Sequence, residues 1–430
     1  MVAKVIRQAG MGFILLDSHP AGCARVVDQM IAEVPAASEA DASAEHGASA
    51  EHDASAAGGA SSESSASTGQ AVLVIGCSAG YGLASTVAAL YGRKARVLGL
   101  CFERPATQRR SASAGWYRVA ALAERTQADG LDFEPVNGDC FDPDVRAAVL
   151  DRIAAKYGRI GTLIYSVAAP RRTDPRTGAT YQSAVKPIGG AYRSRSLTFG
   201  EGQPVTVKEA MLEPATDAEV EATVKVMGGE DWADWVTDLA ARDLLAHGFT
   251  TVALTYLGSD LTAPIYRKGT IGRAKDHLEA TAGQLTDSVL AGSGGRALTS
   301  VNGAVVTLSS VAIPGISLYL SLLHEVAGSS AQSPVRQSVR LWNHLSGLPG
   351  ADLDEQGRLR LDDWEFAPGI QEQLHKRWDD DDDAILGGLS DPGWFRREFG
   401  RLYGFSVTGI DYTAPVELDV PWPSTSAPSA

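Results

Sequence analysis

Cysteine is scarce in this sequence. The chain of 430 residues has four cysteines, Cys23, Cys77, Cys101 and Cys140, and no two of them form a C-x-x-C pair. A disulfide framework needs a denser set of cysteines, and a structural zinc site needs ligands at close spacing. The composition therefore argues against both, and it indicates a reducing compartment, which we expect to be the cytoplasm.

Positive charge is also in short supply. Lys and Arg together number 38 against 52 Asp and Glu, which gives a formal net charge of -14. Proteins that bind nucleic acid present a basic face to the phosphates, and anionic membrane surfaces attract basic segments. We therefore expect neither nucleic acid nor an anionic membrane surface as the main partner.

Long hydrophobic runs are absent from the sequence. The apolar run at residues 11–16 is too short for a signal peptide. Residues 304–323 carry no charge, but they include Pro314, Gly315 and several Ser and Thr residues. A membrane-spanning helix needs about 20 predominantly apolar residues. We interpret this stretch as a buried strand, a turn and an apolar helix, and we expect no membrane span.

Residues 36–70 lack large apolar side chains and consist almost wholly of Ala, Ser, Glu, Asp, Gly and His. Such a segment buries too little surface to offset the entropy of ordering it, so we predict a disordered or weakly helical insertion. We interpret His46 and His52 as parts of a solvated spacer. The acidic run at residues 379–383 lacks the spaced ligands and the glycine of a calcium loop. We predict no metal site.

The remainder of the chain alternates apolar strands with helical patterns. Predicted strands span residues 71–75, 95–102, 163–167, 250–257 and 303–308. A continuous apolar run is typical of a strand that is buried on both faces. Alternation of such strands with helices predicts an α/β fold with a parallel, doubly wound sheet and right-handed crossovers.

A glycine-rich turn follows the first predicted strand directly. The segment GCSAGYG at residues 76–82 has the pattern G-x-x-x-G-x-G and opens a predicted helix. Glycine lets a pyrophosphate approach the N–H groups at a helix N-terminus, where a Cβ atom would block it. The turn therefore predicts a nicotinamide dinucleotide site, although a purely structural strand-turn-helix unit remains the alternative.

Glu103 lies at the end of the second predicted strand, 21 residues after Gly82. An acid there accepts hydrogen bonds from the adenosine ribose and repels a 2′-phosphate, so it favours NADH over NADPH. The nearby Arg104, Arg109 and Arg110 would soften that preference. Two later strand ends, at residues 138–140 and 166–168, should complete the pocket near the adenine and the nicotinamide ribose.

A tyrosine and a lysine stand nine residues apart in the segment from Pro264 to Lys275. Within one regular helix nine residues turn through about 900°, which would put the two side chains on opposite faces. They converge only if the backbone between them is irregular, so we place Tyr266 before a helix and Lys275 in its first turns. A nearby ammonium would lower the pKa of the phenol and make it a better acid–base group.

Taken together, these motifs resemble the FabV-type enoyl reductases, which comprise the trans-2-enoyl-CoA reductases and the NADH-dependent enoyl-acyl-carrier-protein reductases. The similarity extends from residue 12 to about residue 412. The segments that carry it are GCSAGYGLA (76–84), CFE (101–103), AGWY (114–117), NGDC (137–140), YSVAAP (165–170), VMGGEDW (226–232), TYLGSDLTAPIY (255–266), GRAK (272–275), SSVAIP (309–314) and LRLDDWE (359–365). The low-complexity insertion and Arg273, in place of the usual lysine, are departures from the family pattern.

The resemblance implies an enlarged Rossmann fold of the short-chain dehydrogenase type, usually monomeric, with a helical substrate lid. It implies an N-terminal segment (1–35) packed on the core, a catalytic domain (71–330) with lid insertions (170–231 and 309–330), and a C-terminal helical and loop extension (331–430). It also implies hydride transfer from NADH to the β-carbon of a 2-enoyl thioester in fatty-acid biosynthesis, with CoA or acyl carrier protein as the handle.

The resemblance further assigns residues to roles. Tyr266 would stabilise and help protonate the enolate, Lys275 would orient the cofactor and assist Tyr266, and Tyr256 would lie on the substrate side. The stretch at residues 309–323 would line the acyl tunnel. The expected cofactor-binding residues are Gly76, Cys77, Ser78, Ala79, Gly80, Tyr81, Gly82, Phe102, Glu103, Asp139, Cys140, Val167, Ala168, Lys275, Val305, Val306 and Thr307.

Two other functions fit parts of the sequence. A carbonyl reductase on the same fold would use Tyr266 and Lys275 on a 3-oxo group. A non-catalytic, nucleotide-sensing scaffold would use the acidic insertion to bind partners, but the intact glycine turn and the Tyr–Lys pair argue against it.

Overall fold

Strands and helices alternate along most of the chain. The computed structural model describes residues 3–8, 10–11, 14–48, 69–200 and 203–423. The strands are β1 (Gly10–Met11), β2 (Ile14–Leu15), β3 (Ala71–Ile75), β4 (Arg96–Cys101), β5 (Phe133–Asn137), β6 (Ile160–Tyr165), β7 (Arg171–Thr173), β8 (Thr180–Gln182), β9 (Tyr192–Thr198), β10 (Thr206–Leu212), β11 (Leu245–Thr255), β12 (Arg296–Asn302), β13 (Asp352–Leu353) and β14 (Leu359–Leu361). The helices are α1 (Pro20–Ala48), α2 (Gly80–Val87), α3 (Ala114–Ala128), α4 (Pro143–Arg152), α5 (Asp217–Met227), α6 (Glu230–Ala241), α7 (Thr270–Asp287), α8 (Ile316–Ala327), α9 (Pro334–Leu345), α10 (Pro368–Trp378), α11 (Asp382–Gly387) and α12 (Trp394–Arg401).

An eight-stranded sheet forms the centre of the molecule, in the order β13-β14-β12-β11-β6-β3-β4-β5. Neighbouring strands run parallel, except for the antiparallel pair β13–β14 at one edge. From β3 the chain builds outward through β4 and β5, and it then returns to β6 and builds in the opposite direction. The predicted parallel, doubly wound sheet is therefore confirmed, with its switch point between β3 and β6.

The two faces of the sheet bury two separate apolar cores. Along β3, Val72 and Val74 face the core shared with helices α1, α2 and α9. Leu73 and Ile75 face the opposite core, which contains Trp232 of α6 and residues of α7. All five residues of β3 are buried because helices cover both faces, which explains its continuous apolar sequence.

The strand predicted at residues 303–308 is wrong. Strand β12 ends at Asn302, and the apolar residues after it form a loop that leads to helix α8. The strand itself carries buried polar residues, and the Asn302 amide and the Gly303 N–H both donate hydrogen bonds to Gln337 Oε1. The search for an apolar run therefore selected the loop after β12, because β12 itself contains polar residues. The apolar helix predicted next is confirmed as α8. No helix in the described ranges is long and apolar enough to cross a membrane.

The predicted boundary at residue 36 lies inside a helix. Helix α1 continues to Ala48, so for residues 36–48 the disordered alternative is wrong and the helical one agrees with the structure. The physical reason is the high helix propensity of the alanine and glutamate that dominate this stretch. Residues 49–68 of the predicted insertion lie outside the described residues.

The segment at residues 170–231 contains more than helices. It forms the antiparallel hairpins β7–β8 and β9–β10 before helix α5 and the start of α6. Strand β9 is attached to helix α8, because the N–H of Leu197 donates to Ser317 Oγ at 2.9 Å and Ser317 Oγ donates back to the Leu197 carbonyl at 3.1 Å. The two segments predicted as lid insertions therefore pack against each other.

The C-terminal segment contributes a strand to the central sheet. Strand β14 pairs in parallel with β12 through Leu359, Arg360 and Leu361. The prediction of helices and loops alone after residue 331 is therefore wrong, since a strand of three residues is too short to show a periodic pattern. The pairing brings the residues after β14 to the carboxyl edge of the sheet.

Candidate active site

The glycine turn lies between β3 and α2, at the carboxyl edge of the sheet. Gly76 has a φ of 91°, and a Cβ atom at this residue would collide with the carbonyl oxygen of Ser166 at the end of β6. Glycine is required here because the turn passes directly against the neighbouring strand end. No described side chain caps the N-terminus of α2 at Ala79. Its first N–H groups therefore point toward a place where an anion can bind.

Glu103 lies beside this turn, at the end of β4. Ser78 Oγ donates a hydrogen bond to Glu103 Oε1 at 2.6 Å. The backbone of Glu103 is fixed by Asn137 of β5, whose Oδ1 accepts from the Glu103 N–H at 2.7 Å. The adjacent Phe102 is 72% exposed, so its ring is accessible at the same edge. The structure thus brings the predicted acid and the glycine turn together.

The predicted residues after β5 and β6 lie at the same edge, with some of their polar groups engaged locally. Asp139 Oδ1 accepts a hydrogen bond from the N–H of Phe141 at 3.0 Å. The carbonyl oxygen of Cys140 accepts one from the Trp235 indole at 3.2 Å. Val167 packs against the core behind the sheet, and Ala168 is exposed. These contacts fix the strand ends that border the turn.

The loop after β12 closes over the glycine turn. The Tyr81 hydroxyl donates a hydrogen bond to the carbonyl oxygen of Gly303. The side chain of Thr307 lies near Gly80, and the N–H of Thr307 donates to Ser310 Oγ at 2.9 Å. The predicted cofactor residues Val305, Val306 and Thr307 are therefore adjacent to the turn.

Tyr266 and Lys275 are separated by an irregular stretch, as predicted. Residues 260–268 form turns, and helix α7 begins at Thr270, so Tyr266 precedes the helix and Lys275 lies in its second turn. A Cβ atom on Gly272 would collide with the carbonyl oxygen of Arg267. The glycine therefore permits the first turn of α7 to pack tightly against the residues that carry Tyr266.

The predicted lowering of the Tyr266 pKa is wrong for this structure. Tyr266 is only 5% exposed, and burial raises the pKa of its hydroxyl, an effect that the charge of Glu365 reinforces. Burial lowers the pKa of Lys275 to about 8, while Glu279 acts in the opposite direction. Within the described part of the chain the two side chains form no hydrogen bond with each other. Tyr266 is therefore a protonated phenol at neutral pH.

Tyr256 packs edge-on against Tyr266, with ring centroids 4.9 Å apart and planes at 89°. Its hydroxyl donates a hydrogen bond to Glu365 Oε1 at 2.9 Å. The hydroxyl of Tyr319 in helix α8 donates to the same oxygen at 2.6 Å. Glu365 was not among the expected site residues, and Tyr319 was expected only as part of the stretch at residues 309–323 along the acyl tunnel. The LRLDDWE segment was part of the family resemblance but suggested no role for its glutamate.

A cavity of about 340 Å³ lies next to the glycine turn and the loop after β12. Helices α1, α8, α9 and α12 supply most of its wall, and Gly80, Val305, Val306, Leu320 and Leu323 are among its lining residues. From α8, two apolar side chains, Leu320 and Leu323, and the imidazole of His324 face the cavity. Among the described residues, no group of three His, Cys, Asp or Glu side chains is placed to hold a metal ion.

The doubly wound parallel sheet and the glycine turn at its switch point define a Rossmann-type nucleotide-binding protein. Comparison of the sequence with models of protein families agrees. Residues 5–108 match the NAD(P)H binding domain of trans-2-enoyl-CoA reductase, residues 110–345 match the trans-2-enoyl-CoA reductase catalytic region, and residues 353–416 match a model described as an enoyl reductase FAD binding domain.

Similar proteins carry related names. An enoyl-[acyl-carrier-protein] reductase [NADH] of Streptomyces avermitilis is 47% identical over 420 residues, which cover 98% of this chain and 100% of that protein. A trans-2-enoyl-CoA reductase [NADH] of Clostridium perfringens is 38% identical and covers 95% of this chain and 97% of its own. The crystal structure of Treponema denticola trans-2-enoyl-CoA reductase in complex with NAD superposes with a TM-score of 0.83 at 34% identity, over 96% of this chain and 98% of that one. The chain belongs to the trans-2-enoyl-CoA reductase family, and the resemblance inferred from its motifs is confirmed.

The residues after β14 do not fit the flavin that the third family model names. A dinucleotide needs an open glycine turn at a strand end, as β3 provides. In contrast, β14 is followed by Asp362, Trp364 and Glu365, all of which are buried. Asp362 pairs with Arg360 at 2.7 Å, and Glu365 accepts hydrogen bonds within the site. These side chains fill the strand end and leave no cradle for a second dinucleotide.

Proposed function

We propose that this chain reduces the trans-2 double bond of enoyl thioesters with NADH and releases the saturated acyl thioester, with CoA or acyl carrier protein as the handle. One observation carries the proposal. A glycine turn that fits a dinucleotide and a pair of packed tyrosines, Tyr256 and Tyr266, lie on the same sheet edge of an enoyl reductase family member. The names of the Streptomyces and Clostridium relatives support the same activity.

The glycine turn is the proposed holder of the cofactor pyrophosphate, because its N–H groups open toward an anion at the N-terminus of α2. Glu103 would accept the ribose hydroxyls, and its negative charge disfavours the 2′-phosphate of NADPH. Lys275 would hold the nicotinamide ribose, and a pKa near 8 leaves its amino group mostly charged at neutral pH. When bound, NADH supplies the hydride for the β-carbon.

Tyr266 is the proposed donor to the thioester oxygen. Its phenol stays protonated because burial raises its pKa, so the O–H is available where negative charge develops on the substrate. Tyr256 would contact the thioester from the substrate side, in edge contact with Tyr266. Burial of the Tyr266 ring, beside the half-buried Tyr256, would limit water at the reacting carbon atoms and strengthen each hydrogen bond to the developing enolate.

We assign the acyl chain to the cavity along helix α8. Leu320, Leu323, Val305 and Val306 present an apolar wall there, next to the cofactor loop. Each methylene group buried in such a cavity contributes about 0.8 kcal/mol to binding. This role also accounts for the uncharged stretch of sequence that contains α8. A cytoplasmic location and a monomeric state remain predictions, and light scattering on the purified chain would test the latter.

Steady-state kinetics with matched substrates tests the proposal. The loss of NADH absorbance would be followed with crotonyl-CoA and with the corresponding enoyl-acyl carrier protein, each with NADH and with NADPH. We expect turnover of enoyl thioesters and a preference for NADH. Turnover of 3-oxo thioesters in place of enoyl thioesters would identify a carbonyl reductase. Failure of hydride transfer in a single turnover with both substrate classes would leave a non-catalytic nucleotide-binding protein.

A further inference from the structure

We propose that Glu365 is a positioning residue for this reaction, because its carboxyl group decides whether the Tyr256 hydroxyl points toward the substrate or away from it. The inference rests on the proposed function and deepens it, since it adds a residue that controls how the reacting centre presents its hydrogen-bond donors. Glu365 itself need not touch the substrate or the cofactor.

The position of Glu365 follows from the sheet topology. Strand β14 lies parallel to β12, so the residues that follow β14 emerge at the same edge as the glycine turn. Glu365 is fully buried there. Its contacts reach three elements: Tyr256 after β11, Tyr319 of α8, and the N–H of Ala304, which donates to Glu365 Oε2 at 2.5 Å.

An ionised carboxylate only accepts hydrogen bonds. While Glu365 is ionised, Tyr256 directs its O–H at Oε1 and offers only lone pairs to the substrate side. A protonated Glu365 has an O–H of its own, which can donate to the Tyr256 oxygen and leave the Tyr256 O–H free to turn toward the thioester. One proton on Glu365 therefore converts Tyr256 from an acceptor into a donor for the developing enolate.

The surroundings of Glu365 make this change of protonation accessible. The other titratable groups that face it from the packed elements are Tyr81, Tyr256, Tyr266, Tyr319 and Asp362. Within the described residues no Lys or Arg forms an ion pair with it. Burial raises the pKa of Glu365 to about 7, against the hydrogen bonds from Tyr319, Ala304 and Tyr256, while Asp362 raises it further. Both protonation states are thus populated near neutral pH.

The contact with Ala304 links the same carboxyl group to the cofactor loop. Ala304 directly precedes Val305 and Val306, which border the glycine turn and the cavity. The carboxyl group therefore holds Tyr256 with one oxygen and the start of the cofactor loop with the other. Its geometry sets the relative placement of the substrate-side tyrosine and the loop.

The decisive test is the pH dependence of kcat for enoyl-CoA reduction at saturating NADH in Glu365→Gln. The amide can accept the Ala304 N–H with its oxygen and donate to Tyr256 with its nitrogen, which imitates the protonated acid at every pH. We expect the wild-type kcat to fall above about pH 7, approaching tenfold per pH unit. The variant should change less than about twofold over the pH unit above that midpoint. Lys275 also titrates on the alkaline side in both proteins, so only the difference between them reports on Glu365.

Tyr319→Phe provides a second, milder test. Its hydroxyl stabilises the ionised form of Glu365, so removing it should raise the pKa of Glu365 and move the alkaline limb of kcat to higher pH. Asp231→Asn is the matched control, because Asp231 is another buried carboxyl group that accepts a hydrogen bond from a tyrosine, outside this site. Its pH profile should match that of the wild type.

An independent readout is infrared difference spectroscopy: of the carbonyl bands that protonated Glu365 and Asp231 should give near neutral pH, one should disappear in Glu365→Gln and the other in Asp231→Asn. Turnover with an unchanged pH profile in both Glu365→Gln and Tyr319→Phe would overturn the inference and leave the proposed function standing. Absence of turnover in the wild type would overturn both.

Discussion

Glu365 and Asp231 are two buried carboxyl groups in different elements, Glu365 after β14 and Asp231 in the first turn of α6. Each accepts a hydrogen bond from a tyrosine, Tyr256 at 2.9 Å for Glu365 and Tyr165 at 3.0 Å for Asp231. Burial raises the pKa of each to about 7. They differ in their neighbours, because Asp231 faces the buried guanidinium of Arg146 at 3.8 Å, whereas Glu365 faces hydroxyl groups, a backbone N–H and the carboxyl group of Asp362, with no cation paired to it among the described residues.

This difference separates a structural cluster of charged residues from the proposed reacting centre. Asp231 belongs to a cluster in which Arg146 also approaches Asp234 and Asp238, and Arg172 pairs with Glu230 at 2.8 Å. The cluster joins the segment at residues 170–231 to α4 and to the end of β6. A proton change there alters attachment of that segment, whereas a proton change at Glu365 reorients a hydroxyl group. A carboxyl group with a raised pKa therefore indicates function only when neighbouring groups, such as hydroxyl groups, can reorient as it gains or loses a proton.

The largest effect is expected at the proposed reacting centre, which contains Glu365 and Tyr266. Tyr266→Phe removes the proposed donor to the thioester oxygen, and we expect kcat to fall by about 10²–10⁴-fold. The melting temperature should change little, because the variant preserves the buried ring. Steady-state kinetics and thermal denaturation would measure the two quantities. A comparable loss of kcat in Tyr165→Phe would erase the distinction between the two sides.

The next effect lies on the Asp231 side. Asp231→Ala removes the most buried partner of Arg146, which keeps Asp234 and Asp238, and leaves the Tyr165 hydroxyl without its acceptor, so we expect the free energy of unfolding to fall by about 1–3 kcal/mol. Urea denaturation measures this, and kcat of the folded enzyme should remain within a few-fold of wild type. Asp238→Ala is the matched control: Asp238 also approaches Arg146 but is half exposed, so its loss should cost about 0–1 kcal/mol. Equal losses of unfolding free energy in the two variants would show that burial does not determine how much each carboxyl group stabilises this cluster.

The two carboxyl groups should behave alike in the pH dependence of stability. Each has a folded-state pKa above its unfolded value, so the folded chain binds more protons between about pH 4 and 7. Stability is then greatest below the unfolded pKa and falls as pH rises toward 7, by at most about 1.4 kcal/mol per pH unit for each group. Glu365→Gln and Asp231→Asn should each flatten the slope of unfolding free energy against pH. A steeper slope in either variant would contradict the raised pKa of that group.

The smallest effect sharpens the comparison at the level of single hydroxyl groups. Tyr165→Phe removes one hydrogen bond to Asp231, and we expect a loss of about 1 kcal/mol in unfolding free energy. The pH profile of kcat should stay unchanged, in contrast to the shift expected for Tyr319→Phe. Measuring both profiles under the same conditions compares two tyrosines that perform the same local task in different surroundings.

The parts of the fold that were predictable depend on local sequence signals. The apolar run of β3, the glycine turn after it and the acid at Glu103 lie close together along the chain, so their spacing alone indicated a dinucleotide site. The irregular backbone between Tyr266 and Lys275 was likewise marked by Gly269 and Gly272. Strand β12 was misplaced because its buried polar residues imitate an exposed strand.

The features that escaped prediction depend on contacts between distant segments. Glu365 reaches the site only because β14 pairs with β12, which lies about 60 residues earlier in the chain. Strand β14 itself has just three residues, too few to show a periodic pattern. Burial of Arg146 and Arg172 was equally hidden, since arginine is mostly found at the surface and no local pattern marks an exception. Asp231 and Glu365 both stand in segments that carry the family resemblance, but their contacts could not be read from the sequence.

The late position of β14 in the chain has a consequence for synthesis on the ribosome. The nucleotide turn, Tyr266 and Lys275 emerge well before β14 and before Glu365, which follows that strand, whereas a domain generally folds as a unit. Ile6, near the other end of the chain, packs against Phe405 and Leu418, which emerge later still. The central sheet and the packing of the N-terminal segment are therefore completed only after most of the chain has been made, so premature termination after α9 would leave β12 without its parallel neighbour β14 and the reacting centre without Glu365.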